Sequence, residues 1–327
     1  MSGSVSLPND PSVPIHNQPH AEILQPPPPS WVRHVFTGPD GLRSGWRLAL
    51  YVLMVVALVI LMSLLLRFVH FGPGMLLWRF LAGETVMLIA TFVPGFAMAR
   101  IEKRSFGTYG LPVQPAFGRM FWIGAIWGIV CLSVLLLAMR SNGNFFYGGL
   151  AVRGVRIVKF AAFYAFLFLM VGFVEEFLLR GYSLFTLTEG IGFWPAALLL
   201  SFLFGAAHLQ NKGEAWIGAL AAAFIGLFFC LTLQRTGNLW FAVGLHASWD
   251  WGETFVYAVP NSGQSAPGGL LRSSFHGSPW ITGGTVGPEG SVLVFVLIAV
   301  MWLIFDWLYP AVKYPEKKSL PPAGSNT

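Results

Sequence analysis

From Trp46 onward the chain alternates between apolar stretches of about twenty residues and short breaks rich in Gly, Pro and basic side chains. About 20 helical residues at 1.5 Å each cover the hydrocarbon core of a bilayer. Eight such stretches run over 46–66, 79–99, 119–139, 158–187, 193–210, 215–234, 239–259 and 291–309. The fourth is the longest: "RGYSLFTLTEGIGFWP" holds no strong breaker before Gly190, so that helix is expected to pass Arg180 and reach about Leu187. The pattern predicts an all-α fold, a polytopic transmembrane helix bundle of about eight helices over 46–310.

The flanks differ in kind. Residues 1–45 form a Pro-rich arm, with four prolines at Pro26 to Pro29, that buries too little to order itself and reads as a spacer. Residues 311–327 read as a polar tail, and Asn261 to Gly290, rich in Gly, Ser and Pro, as a flexible extramembrane loop. No cleavable leader is expected, because the first apolar run begins only near Trp46.

Composition sharpens this. With 55% hydrophobic and 10% charged residues the chain cannot clothe a soluble fold, which carries roughly a quarter charged residues. The net charge of +6 is scattered over loops without a basic patch, so nucleic acid is excluded as a partner. If the N-terminus is inside, twelve of the 20 Lys and Arg fall on that side, although the group from Arg153 to Lys159 falls on the other. The bias predicts a multi-pass protein, expected in the plasma membrane, with both termini cytoplasmic. Cys131 and Cys230 lie inside apolar runs and read as core residues, not as a disulfide or a metal site.

An ionisable side chain inside hydrocarbon is costly, which makes it a functional candidate. Of 7 histidines only His208 and His246 lie in apolar runs, and of 14 acids only Glu84, Glu175, Glu176, Asp250, Glu253 and Asp306. Six of these eight fall between 175 and 253. In "VEEFLLRG", Glu176 and Arg180 are four apart and can pair, while Glu175 projects elsewhere, free to act. The bland alternative is a charge cluster at a helix end. In "FLFGAAH", Phe204 lies one turn before His208 and can pack on its ring, and Gly205 admits a neighbouring helix. Taken alone, His208 reads as a hydrogen-bonded core residue. "HASWDWGE" sets His246, Asp250 and Glu253 on one helical stripe, or, in the bland reading, a His–Asp pair joining two helices.

Counting from the intervening turn puts Glu175 and His208 level, at about 18 Å and 22 Å, with His246 about 8 Å off that level. Glu84 and Asp306 read as structural, paired with Arg79 or lying at the membrane surface. A carboxylate and two histidines inside a membrane suit hydrolysis of a peptide. Glu175 can take a proton from water, and the histidines can bind a metal or donate to an oxyanion.

Together the three motifs resemble the CPBP family of intramembrane proteases, which includes type II CAAX prenyl endopeptidases and bacteriocin-processing Abi proteins. The family pattern EExxxR, FxxxH and HxxxN is matched by Glu175, Glu176 and Arg180, by Phe204 and His208, and by His246, within about residues 160–255. The resemblance implies an eight-helix bundle that cleaves a peptide bond of a membrane-associated, CAAX-like or other lipid-anchored or hydrophobic protein or peptide. It puts Glu175, Glu176, His208, His246 and Asp250 in the catalytic set, with Arg180, Phe204 and Glu253 in support and Glu175 as the base. The implied partners are membrane lipid and that substrate.

Position 250 departs from the pattern, being Asp where the type II enzymes have Asn. An ionised carboxylate cannot donate to an oxyanion. Asp250 would therefore suit a divalent metal, expected to be zinc, held by His208, His246 and Asp250 with Glu253 nearby, or must be protonated to donate. The alternative is a metal-free glutamate protease using Glu175, His208, His246 and Asp250. Two other classes compete with proteolysis: a catalytically idle immunity or adaptor protein and a proton-coupled transporter.

Overall fold

A computed structural model describes residues 35–38, 41–72, 74–211 and 213–314. Most of the Pro-rich arm, including Pro26 to Pro29, and the end of the polar tail lie outside these residues. A two-residue ladder, β1 (Thr37–Gly38) with β2 (Gly41–Leu42), precedes the bundle. The helices are α1 (Ser44–Leu66), α2 (Leu76–Ile101), α3 (Arg119–Ser141), α4 (Val155–Glu176), α5 (Leu184–Ile191), α6 (Phe193–His208), α7 (Trp216–Thr236), α8 (Trp240–Trp251), α9 (Pro279–Thr282) and α10 (Val292–Leu308).

Five spans, Ser44–Leu66, Leu76–Ile101, Arg119–Ser141, Val155–Ile191 and Trp216–Thr236, are long and apolar enough to cross a membrane, and Phe193–His208 and Val292–Leu308 are shorter apolar helices. The chain is an all-α polytopic membrane protein, and each of the eight apolar stretches read from the sequence contains a helix.

Position in the bundle follows from which faces are covered. Only 11% of the most apolar part of α1 is buried, against 56% for α7, so α1 lies at the rim and α7 inside. α8 is buried almost along its whole length, from Trp240 to Asp250. Glycines make that depth accessible. A Cβ on Gly124 of α3 would lie 2.1 Å from the Phe241 carbonyl oxygen, one on Gly128 2.4 Å from that of Leu245, and one on Gly244 2.1 Å from that of Phe121. Two backbones approach to a separation that any larger side chain would prevent, as membrane helices do through small residues.

α4 and α5 form the long fourth stretch, joined by a wider π-helical segment, Phe177–Ser183, in which Gly181 has ψ −109° and leaves helical geometry. The sequence places this span correctly and does not reveal the bulge. A wide turn of this kind often marks a functional stretch of helix.

The segment 261–290 departs from the expectation of a flexible loop. It contains strand β4 (Leu271–Phe275), which pairs antiparallel with β3 (Phe145–Leu150), then α9 and a 3-10 turn, Pro288–Gly290. Alternation along "LRSSF" is too short and too polar to stand out beside twenty-residue apolar runs.

Candidate active site

α4 supplies the acidic pair at its last two residues, Glu175 and Glu176, and their surroundings separate them. Glu176 and Arg180 are both fully buried, and Arg180 Nη1 donates to Glu176 Oε1 at 3.2 Å, the expected pairing. The Arg180 guanidinium lies 4.2 Å over the Phe204 ring and 5.6 Å over that of Phe229. Gly226 leaves the room for it, since a Cβ there would come 2.2 Å from Nη2. A buried charge is retained when it is paired and its donors meet π faces or acceptors.

His246 of α8 meets this pair. Its Nδ1 donates to Glu176 Oε1 at 3.0 Å, and its ring stacks on Phe229, with centroids 5.6 Å apart and planes at 18°. Nε2 then faces Glu175 Oε2 and Asp250 Oδ2, each at 3.6 Å. The Glu175 side chain is 33% exposed, so it is the carboxylate of the pair that reaches open space, and its Oε2 has no hydrogen-bond partner. Glu176 orients the imidazole, and Glu175 is left to act.

His208 stands on the wall. Phe204 packs edge-on to it, with centroids 4.5 Å apart, as expected, and Nδ1 bonds the Phe204 carbonyl oxygen at 2.9 Å. Gly205 admits α7, with a Cβ position 2.3 Å from the Ala219 carbonyl oxygen. Glu175, His208, His246 and Asp250 all line one cavity of about 500 Å³, whose walls are otherwise largely apolar. That is the size and character of a site for an organic ligand.

Two acids that the sequence reading left out belong to this cavity. Glu84, read as structural, lines it from α2, and Glu289 lines it from the 3-10 turn. Glu84 was legible as an ionisable group in an apolar run. Glu289 was not, because it lies in a Gly- and Pro-rich segment far from the motifs. Asp306 does pair structurally, with Arg235 at 2.5 Å rather than with Arg79.

The zinc ligands read from the sequence do not converge. Among the described residues the one acid or histidine group with ligand atoms all within 4.8 Å of one another is Asp250, Glu253 and Glu289. Nδ1 of His246 donates to Glu176 and that of His208 to the Phe204 carbonyl oxygen, which leaves each Nε2 for a ligand, but among the described residues no group of His208, His246 and Asp250 has its ligand atoms within 4.8 Å of one another. As arranged, these three residues do not fit a zinc ion.

Fold and site thus define a class, a polytopic membrane protein with carboxylates and histidines gathered around an internal cavity. Residues 157–252 match the family model of the Rce1-like type II CAAX prenyl endopeptidases, which is consistent with the CPBP family and points to a peptidase. The matched stretch is less than a third of the chain and runs from α4 to the end of α8, the segment that carries all three motifs. No curated protein matches the chain.

Proposed function

We propose that the protein is an intramembrane endopeptidase that hydrolyses a peptide bond near the end of a membrane-associated, CAAX-like or other lipid-anchored substrate. The observation that carries this reading is the difference between two adjacent carboxylates: Glu176 is sealed and paired, whereas Glu175 faces the cavity beside an imidazole held by Glu176.

Glu175 accepts a proton from water as the water oxygen attacks the peptide carbonyl carbon. The oxyanion that forms is met by Nε2–H of His246 as an imidazolium, its Nδ1–H being donated to Glu176, while His208, its Nδ1–H donated to the Phe204 carbonyl oxygen, offers Nε2 to the attacking water. The C–N bond then breaks, and Glu175 returns the proton to the departing amine. Asp250, as a carboxylate, accepts rather than donates, so it acts through His246 as a positioning residue. This is the metal-free form of the mechanism, with the same four residues. A largely apolar lining suits an apolar substrate: Leu203, which lines the cavity, is 47% exposed. The distribution of basic residues supports both termini in the cytoplasm.

The test is cleavage of a prenylated CAAX peptide, alongside a comparison of membrane-peptide C-termini in cells carrying wild type or Glu175→Ala. Removal of a general base is expected to lower turnover by about 10²–10⁴-fold with the fold intact. An adaptor or immunity protein would keep its cellular phenotype in Glu175→Ala, and that result would overturn the proposal.

A further inference from the structure

Glu253 and Glu289 have no task in the proteolytic site, and they meet it at Asp250. Asp250 and Glu253 of the α8 end and Glu289 of the 3-10 turn bring carboxylate oxygens within 4.8 Å of one another. Glu289 is held in place by Ser262, whose backbone N–H and hydroxyl both donate to Oε2, at 2.8 and 2.7 Å. Glu253 is fully buried, and among the described residues neither of its carboxylate oxygens has a hydrogen-bond partner of good geometry. Among the described residues neither Glu253 nor Glu289 makes an ion pair, and the nearest cationic candidate, His246, faces Asp250 alone of the three.

Two arrangements relieve three crowded carboxyl groups. They can share protons, or they can hold a cation. Sharing leaves Glu253, to whose oxygens no described group donates with good geometry, to find its donor in a neighbouring protonated carboxyl. A cation satisfies both oxygens without one. We propose that Asp250, Glu253 and Glu289 form a binding site for a hard divalent cation, with calcium the best match.

The donor chemistry sets that class. The three ligands are carboxylates, with no thiolate or imidazole among them, which suits calcium, magnesium or manganese better than zinc. Oxygens on one calcium ion at 2.3–2.6 Å are separated by at most about 5 Å, a limit the trio meets, whereas magnesium keeps several waters and seldom uses an all-protein cage. The bound cation would tie the 261–290 segment to the end of α8 on one wall of the cavity. The site does not depend on the proteolytic reading, because its binding assay needs no substrate.

The experiment uses the full chain, purified in detergent, stripped with a chelator and titrated with terbium(III) under indole excitation, Trp249 lying one turn before Glu253. Saturable emission is expected, displaced by calcium at lower concentration than by magnesium. Equilibrium dialysis with calcium is expected to give about one ion per chain. Glu253→Gln and Glu289→Gln should each weaken calcium binding at least tenfold, while Glu175→Gln leaves it unchanged. Should Glu253→Gln fail to fold, Glu289→Gln on the half-buried turn and the wild-type stoichiometry decide. No saturable binding, or binding undiminished in Glu289→Gln, overturns the proposal. So does a protein that ignores calcium and is stabilised by either glutamine, the signature of carboxyls sharing protons.

Discussion

Arg180→Met removes the guanidinium sealed against Glu176 while nearly keeping the volume of the side chain. Both partners are fully buried and 3.2 Å apart, so the variant leaves a carboxylate inside the bundle with His246 as its remaining partner. Breaking a buried pair from one side costs about 3–5 kcal/mol. Losing the guanidinium over the Phe204 ring, 4.2 Å away, adds about 1 kcal/mol. Unfolding in mixed micelles, followed by circular dichroism, should therefore show a loss of about 4–6 kcal/mol. The double variant Arg180→Met with Glu176→Gln no longer buries an unpaired charge and should recover about 2 kcal/mol of it. Cleavage should fall more than tenfold in the single variant, because Glu176 orients His246. A single variant within about 1 kcal/mol of wild type, or a double variant no better than the single, would refute the view that the pair is mutually required.

Three further outcomes follow from the same contacts. Gly128→Val should lose about 3 kcal/mol or more in the same unfolding assay, since even a Cβ would lie 2.4 Å from the Leu245 carbonyl oxygen on buried backbone that cannot move aside. Asp306→Ala should change stability by less than about 1 kcal/mol despite a 2.5 Å contact with Arg235, because the aspartate side chain is 45% exposed. Glu214 lies in the turn between α6 and α7, where burial first and then the charge of Glu289 push its carboxyl above the usual range. The folded state thus holds that proton more tightly than the unfolded one, and stability is lost as pH rises from the ordinary carboxylate value through the raised one. Thermal melts of Glu214→Gln against wild type should diverge in the variant's favour above that window and converge in acid.

Much of this was legible in the sequence because a bilayer is a strict solvent. It demands about twenty apolar residues per crossing, so all eight stretches contain helices. It also penalises ionisable groups, which singled out Glu175, Glu176, His208, His246 and Asp250, all of which line or support one cavity. Relations along one helix were equally readable: Glu176 with Arg180, and Phe204 with His208.

Offsets between helices were not. Counting at constant rise puts His246 off the level of Glu175, yet its Nε2 is 3.6 Å from Glu175 Oε2, while His208 bonds its own helix. Constant rise assumes straight helices, whereas α4 passes into a π segment and α8 sits where glycine backbones let it sink. Glu289 escaped a filter confined to apolar runs because only the folding of 261–290 carries it to the cavity. The zinc triad expected from the sequence depends on a related offset: residue types suit a metal only where donor atoms meet, and among the described residues those of His208, His246 and Asp250 do not gather within 4.8 Å.

The burial of α8 has a mechanical consequence. His246 and Asp250 ride on a helix sheathed by protein from Trp240 to Asp250, so lipid tails do not press on it directly. Changes in bilayer thickness or tension reach those residues through the helices packed along it, chiefly α3 and α4, with α7 against the His246 ring. The outer helices can adapt to their lipids while the inner rod that carries half of the chemistry keeps its register.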